Sequence, residues 1–182
     1  SLDAIDRQTG TIQRYTQITF ELIDLEYGAI VWADDFEFSV EVDPTEASDA
    51  LLHTLAELGM NRASIGVQDF APKVQEAIGR IQSFEQTAHV VKVLRAAGVQ
   101  SLNVDLLYGL PHQTKVSMAE TLQQVLSLQP DRLALYGYAH VPWMSKRQVM
   151  IKAETLPDTQ ARFQLATIAK DVLTASGFHA IG

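Results

Sequence analysis

The sequence contains no cysteine among its 182 residues. Within these residues, that absence excludes disulfide bonds, thiolate zinc sites, cysteine nucleophiles and iron–sulfur clusters held by cysteine. Long apolar runs are also missing, since no stretch approaches the ~20 residues of a transmembrane helix. Residues 1–10 lack the basic start and apolar centre of a signal peptide. We therefore expect a cytoplasmic protein without a membrane partner.

Positive charge is scarce as well. The chain has 14 lysine and arginine residues against 22 aspartate and glutamate residues, a formal net charge of −8. Such a balance argues against binding along a nucleic-acid backbone or an anionic membrane surface, so we expect a small-molecule ligand. Hydrophobic residues make up 47% of the chain, enough to bury the core of one globular domain.

Strand-like and helix-like runs alternate from residue 36 onward. Helices are predicted to begin at capping boxes, Ser83 with Gln86 and Ser117 with Glu120, and the last one to begin near Pro157. Alternating strands and helices of this length favour a parallel sheet with helices packed outside it. The predicted strands cover residues 36–42, 62–68, 101–109 and 132–140.

Each predicted strand is apolar on one face only. In residues 101–109 the apolar Leu102, Val104 and Leu106 alternate with polar residues that include Asn103 and Asp105. Strands covered by helices on both faces would be apolar on both. The pattern therefore favours a partial (β/α) barrel, in which the polar face lines an interior open to water or a ligand.

The predicted barrel is incomplete, because a closed one has eight strands and ~250 residues. We expect an internal fragment of a barrel, truncated at both ends, with the barrel domain at residues 36–182. Residues 1–35 have helical length despite several β-branched side chains, and we predict that this segment is helical.

Functional residues of β/α barrels lie at the carboxyl ends of the strands. Here those ends carry Asp43 and Asp69, for which a helix cap and a turn are the simpler interpretations. Glu41 and Asp105 are different, because an unpaired carboxylate facing the interior costs several kcal/mol. An internal ion pair with Arg62 or Arg80 is the structural alternative.

Two functional interpretations remain open from the residues alone. In the first, Glu41, Asp105 and His140 converge on a divalent cation in a metal-dependent barrel enzyme. In the second, the site binds a small polar cofactor. Carboxylates would then accept from its hydroxyl or amino groups, and Gln68 and Arg80 would bind its carboxylate.

Five motifs of this sequence occur in the same order in a known enzyme family. Between residues 36 and 182 the chain resembles the oxygen-independent coproporphyrinogen III oxidases, radical S-adenosylmethionine (SAM) enzymes of haem biosynthesis. A haem-binding or haem-chaperone relative is the alternative that this resemblance leaves. The motifs are FSVEVDP (38–44), NRASIGVQDF (61–70), NVDLLYGLPHQT (103–114), PDRLALYGYAHVPWM (130–144) and GFHAIG (177–182).

The resemblance implies two SAM sites. Glu41 and Ala139 correspond to contacts with the SAM that is cleaved, while Gln68, Arg80 and Asp105 correspond to contacts with a second SAM. It also implies a [4Fe–4S] cluster and an electron donor for that cluster. The cluster motif, Cys-x-x-x-Cys-x-x-Cys, is absent from these residues. We therefore expect the full-length protein to oxidise coproporphyrinogen III and this chain by itself to be inactive.

Residues 141–152, VPWMSKRQVMIK, are basic and partly aromatic in an otherwise acidic chain. Coproporphyrinogen carries four carboxylates around an apolar macrocycle, so Trp143 and Arg147 are candidate substrate contacts. A solvated loop is the structural alternative, since exposed lysine and arginine side chains are common in connecting segments.

Overall fold

The computed structural model describes residues 38–181 and, before them, four short strands. Strands β1 (Leu2–Ile5) and β2 (Ile12–Tyr15) pair antiparallel, as do β3 (Leu22–Asp24) and β4 (Ala29–Trp32). These segments are strands rather than the helix predicted for residues 1–35. Each contains at least one β-branched residue, which suits a pleated strand better than a helix.

A four-stranded parallel sheet forms the main body of the described chain. Its strands are β5 (Ser39–Val42), β6 (Arg62–Gln68), β7 (Ser101–Tyr108) and β8 (Arg132–Gly137). They are hydrogen-bonded in the order β5-β6-β7-β8, so each strand lies beside its neighbour in the sequence. This confirms the predicted partial barrel of parallel strands.

Helices connect and follow these strands. The α-helices are α1 (Asp49–Glu57), α2 (Pro72–Ile78), α3 (Phe84–Ala96), α4 (Lys115–Ser127) and α5 (Thr159–Ala175). Two short 3₁₀ helices, Lys146–Met150 and Ala153–Thr155, lie between β8 and α5. No helix within residues 38–181 has the length and apolar character to cross a membrane.

Of the two predicted capping boxes, the structure has one. Ser83 and Gln86 form the expected capping box at the start of α3. The box predicted at Ser117 and Glu120 was wrong, because α4 begins three residues earlier. There Thr114 accepts a hydrogen bond from the Ser117 backbone N–H, and the Ser117 hydroxyl accepts one from the Thr114 backbone N–H. A serine hydroxyl at the third helical position thus replaces the usual Glu or Gln.

The hydrophobic core lies between the sheet and the helices. Leu102, Val104 and Leu106 on the apolar face of β7 are at most 1% exposed, and Leu94 and Leu122 from the helices are fully buried with them. The polar residues of β7 remain half-buried on the opposite face. The one-sided pattern in the sequence is therefore the pattern of burial in the fold.

A second, smaller apolar cluster lies near the carboxyl ends of the strands. Val74 of α2 packs with Leu110, which follows β7, and with Tyr138, which follows β8. Because one residue comes from each of three connections, this cluster fixes those connections relative to one another. The candidate site lies among them.

Candidate functional site

Asp105 lies on the polar face of the sheet and is held by neutral hydrogen-bond donors. Its Oδ2 atom accepts a hydrogen bond from Ser64 Oγ at 2.9 Å, and its Oδ1 atom accepts one from Asn103 Nδ2 at 2.7 Å. Asn103 also donates to the Ser64 hydroxyl at 2.8 Å. This arrangement orients the half-buried carboxylate and leaves its negative charge available to a donor from a ligand.

Arg80, in the loop between α2 and α3, lies against β6. It donates to Asp43 Oδ2 at 2.8 Å, to the Gly66 carbonyl at 3.0 Å and to Gln82 Oε1 at 3.2 Å. The structural alternative of an ion pair with Glu41 or Asp105 is therefore wrong for Arg80, whose partner is Asp43. Val42 pairs with Ile65 in the sheet, so Asp43 and Gly66 follow at the same level.

Gln68 ends β6 in an unusual backbone conformation. Its φ angle is +68°, and the Asp69 N–H donates to the Val67 carbonyl at 2.9 Å, which closes a three-residue turn centred on Gln68. The pairing of β6 with β7 shifts register between Gly66 and Gln68. A side chain in this backbone region is strained, and such strain is concentrated at ligand-binding sites.

Gly66 brings these side chains together. A Cβ atom at this position would lie 3.3 Å from Gln68 Nε2, tighter than ordinary contact, and 3.4 Å from Arg80 Nη2, at the short limit of ordinary contact. Glycine therefore lets both side chains lie over the strand, where Gly66 is also paired with Asp105 of β7. The three residues expected at one SAM site thus surround a single glycine.

Asp69 carries a structural role that its prediction as a turn residue missed. It is fully buried, and its carboxylate accepts from Gln113 Nε2 at 2.6 Å, Thr121 Oγ1 at 3.0 Å and the Ala71 N–H at 2.6 Å. Gln113 accepts in turn from the Gly109 N–H at 2.6 Å. The carboxylate therefore joins the end of β6 to the loop after β7.

Two buried glutamines extend this hydrogen-bonded network. Gln75 of α2 donates to the carbonyls of Asp69 and Gln82 at 2.9 and 2.7 Å, and it accepts from the Gln82 N–H at 3.1 Å. Gln82 donates to Thr87 Oγ1 at 2.9 Å. Asp69 and Gln113 belong to the quoted motifs, but the composition of a motif does not reveal that its polar residues are buried.

Glu41 and Ala139 lie at opposite edges of the described sheet. Glu41 is exposed on β5, level with Ser64, and its side chain forms no hydrogen bond or ion pair with any residue from 38 to 181. Ala139 is exposed just after β8. Three strand spacings of ~4.8 Å separate β5 from β8, about 14 Å in a flat sheet. Only an extended ligand could contact both residues.

The candidate substrate residues lie in the connection between β8 and α5. Trp143 is 78% exposed and Met144 is 79% exposed. Arg147 belongs to the first 3₁₀ helix, but its side chain is outside the described part of the structure. Exposed apolar side chains at this rim are available to a ligand or to another part of the protein.

The metal-site interpretation is wrong for the residues it named. The hydrogen-bond partners of Asp105 are Ser64 and Asn103, and His140 Nδ1 lies 3.3 Å from the Tyr138 hydroxyl. Within the described residues, no group of three or more histidine, cysteine, aspartate or glutamate side chains could hold a metal ion. Glu41, Asp105 and His140 therefore do not converge.

Comparison with known proteins identifies the family. The sequence profile of the radical SAM superfamily matches residues 9–125. The chain belongs to the radical SAM superfamily. The match begins well before residue 36, so it includes most of the segment that the five motifs left out.

Named relatives of this radical SAM chain are coproporphyrinogen oxidases. An oxygen-independent coproporphyrinogen III oxidase of Paracoccus denitrificans is 52% identical over 171 residues, covering 92% of the chain and 38% of the relative. An anaerobic coproporphyrinogen III oxidase of Cereibacter sphaeroides is 54% identical over 153 residues, covering 84% of the chain and 34% of the relative. The chain thus spans a little over one third of these proteins. The haem-chaperone and metal-enzyme alternatives are not favoured.

Solved structures support the same family. Coproporphyrinogen III oxidase of Escherichia coli, described as a radical SAM enzyme, superposes with a TM-score of 0.79 at 42% identity, covering 81% of this chain and 34% of that chain. An archaeal Elp3 from Methanocaldococcus infernus superposes with a TM-score of 0.61 at 17% identity, covering 75% of this chain and 33% of that chain. The second likeness shows a shared fold alone.

The residues present fit one family cofactor and not the other. Radical SAM proteins use SAM and a [4Fe–4S] cluster. Carboxylates on the polar face, together with Gln68 and Arg80 above Gly66, complement the amino, hydroxyl and carboxylate groups of SAM. The cluster needs thiolate ligands, and the sequence contains no cysteine. These residues therefore cannot hold the cluster by themselves.

We expect the buried Asp69 to leave a signature in the pH dependence of stability. Burial raises the pKa of Asp69 above the usual 3.8, although its hydrogen bonds oppose that shift. The folded protein therefore favours the protonated carboxyl. The stability that this preference contributes is fully present below about pH 3.8 and is lost as the pH rises through the raised pKa. The wild type should lose stability on this rise relative to Asp69→Asn, which cannot ionise.

Urea unfolding at several pH values measures this difference in free energy of unfolding. Asp171→Asn is the control, because Asp171 is exposed on α5. Parallel stability curves for the wild type and Asp69→Asn would contradict the assignment of a raised pKa to Asp69.

Proposed function

We propose that this chain forms part of the barrel of an oxygen-independent coproporphyrinogen III oxidase. The reaction converts two propionate side chains of coproporphyrinogen III into vinyl groups and yields protoporphyrinogen IX. Each propionate would lose carbon dioxide, one hydrogen atom to the radical derived from SAM, and one further electron to a separate electron acceptor. The observation that carries this proposal is the group of Gln68, Arg80 and Asp105 around Gly66, in a chain 52% identical to a relative of that name.

The polar face is proposed to bind two SAM molecules. When bound and cleaved, SAM supplies the hydrogen-abstracting radical, so the protein must bind, orient and shield it. Gln68, Arg80 and Asp105 are assigned to the second SAM. Arg80 uses three of the five guanidinium N–H groups in its contacts with Asp43, Gly66 and Gln82, which leaves two donors for a carboxylate.

Glu41 and Ala139 are assigned to the SAM that is cleaved. Glu41 is exposed and unpaired among residues 38–181, so its carboxylate is free to accept from an amino or hydroxyl group. Ala139 is exposed, and its methyl side chain lets a ligand approach the backbone closely. An extended cofactor lying across the sheet could contact both edges.

The rim after β8 is proposed to meet the substrate. Trp143 and Met144 offer exposed apolar surface for the macrocycle, and Arg147 offers a cation for one of its carboxylates. We also propose a cytoplasmic location, a separate electron donor, and neither nucleic acid nor membrane as a partner. The net charge of −8 supports the exclusion of polyanionic partners.

Anaerobic turnover tests the proposed function. The chain is expressed with the residues that flank it in its gene, the cluster is reconstituted, and SAM, a reductant and coproporphyrinogen III are supplied. We expect both 5′-deoxyadenosine and vinyl-bearing product. Formation of neither would contradict the proposal. A Soret shift on haem titration without any product would favour a haem-binding function instead.

The proposed substrate contact at Arg147 predicts a specific kinetic change. In the same full-length protein, Arg147→Ala should raise KM for coproporphyrinogen III by removing a charged hydrogen bond, a loss of ~1.5–3 kcal/mol. Lys170→Ala is the control, because Lys170 is exposed on α5. If KM stays unchanged in Arg147→Ala, the segment is a solvated loop.

A further inference from the structure

The four residues that follow β8, Tyr138 to Val141, are held by specific contacts and are here called the 138–141 segment. The Tyr138 N–H donates to the Tyr108 carbonyl at 2.8 Å, continuing the pairing of β8 with β7. The Tyr138 carbonyl accepts from Arg162 Nη1 of α5 at 2.7 Å. The segment therefore starts from a fixed position at the carboxyl end of the sheet.

Gln148 holds the remainder of this segment through both ends of its amide. Its Nε2 donates to the Ala139 carbonyl at 3.1 Å, and its Oε1 accepts from the Val141 N–H. Backbone hydrogen bonds also hold the 3₁₀ helix of Gln148 next to this segment. The Gln148 N–H donates to the Ser145 carbonyl, and the Ser145 N–H donates to the Val141 carbonyl. One half-buried side chain thus bridges backbone groups on both sides of His140.

The two hydrogen bonds of the Gln148 side chain leave the backbone N–H groups that lie between them without a partner. Within residues 38–181, the backbone N–H groups of Ala139 and His140 have no hydrogen-bond partner. Ala139 is also exposed. Gln148 therefore fixes the flanking peptide groups and leaves two adjacent N–H donors for an acceptor atom of a ligand.

We propose that Gln148 is a positioning residue for SAM, acting through the backbone of Ala139 and His140. This inference rests on the proposed function, in which Ala139 contacts the SAM that is cleaved. Glutamine suits the position because its amide donates to one backbone group and accepts from another. An ionised glutamate offers acceptors only and would face the Ala139 carbonyl with negative charge.

The binding of SAM to the full-length protein with its reconstituted cluster tests this role by anaerobic equilibrium dialysis. Gln148→Glu keeps the acceptor for Val141 and removes the donor to Ala139, while Gln148→Ala removes both. Gln123→Glu introduces the same charge at an exposed position on α4 and is the matched control. We expect both Gln148 variants to raise the Kd of the site for the SAM that is cleaved roughly tenfold, the effect of one lost hydrogen bond with an unsatisfied partner, and to leave the second site unchanged. Tm and the substrate KM should change little.

A second readout separates positioning from simple loss of affinity. At saturating SAM, the Gln148 variants should form more 5′-deoxyadenosine per vinyl product than the wild type, because a displaced cofactor reacts less often with substrate. If the wild type binds SAM and the Gln148 variants match Gln123→Glu in Kd and in this ratio, the inference is overturned and the proposed function stands. If the wild type itself binds no SAM, the proposed function fails. If weaker binding is accompanied by a matching fall in Tm in both Gln148 variants, Gln148 is only structural.

Discussion

The buried carboxylate of Asp69 joins the end of β6 to the β7–α4 connection and to α4, next to the candidate site. It lies at the end of β6, immediately after the strained Gln68, and accepts hydrogen bonds from the β7–α4 connection and from α4 itself. A buried charge without these donors would be strongly destabilising. Gln113, which donates to this carboxylate, also accepts from the Gly109 N–H and so holds the loop after β7. The loop that carries Arg80 is held by Gln75, which donates to the backbone carbonyls of Asp69 and Gln82.

The candidate site depends on the hydrogen-bonded network around Asp69 as well as on the side chains of the loops. The network fixes the ends of β6 and β7, and the sheet register then places Gly66 beside Asp105. Gly66 leaves space for Gln68 and Arg80 on the polar face. Strand ends held by packing and by buried hydrogen bonds give a preorganised site, which lowers the cost of ordering it on ligand binding.

The sequence predicted the features that depend on local patterns. Alternation of side chains along β7 predicted its buried and polar faces, and Ser83 with Gln86 predicted the start of α3, because a strand face and a helix cap each involve residues close in sequence. The partial barrel followed from the order of strands and helices. Resemblance to the family indicated Gln68, Arg80 and Asp105 as one group, and in the fold these residues lie around Gly66.

Features that depend on distant partners were not predictable in the same way. Arg80 pairs with Asp43 and Asp69 pairs with Gln113, contacts between residues that are 37 and 44 positions apart in the printed sequence. Packing decides whether such polar residues are buried, and the local spacing of apolar residues in the sequence does not reveal it. The N-cap of α4 at Thr114 was missed because two capping patterns overlap there. The short strands before residue 38 were predicted as helix from length alone.

Binding of SAM to a Gly66→Ala variant shows whether the polar face around Gly66 is a cofactor site. The added Cβ would press on the flexible ends of Gln68 and Arg80, so we expect a folded protein in which those two side chains are displaced. In anaerobic equilibrium dialysis of the full-length protein, the wild type should bind two equivalents of SAM. The variant should bind one with unchanged affinity and the other about tenfold more weakly. Two sites of unchanged affinity in Gly66→Ala would mean that the polar face around Gly66 does not bind SAM.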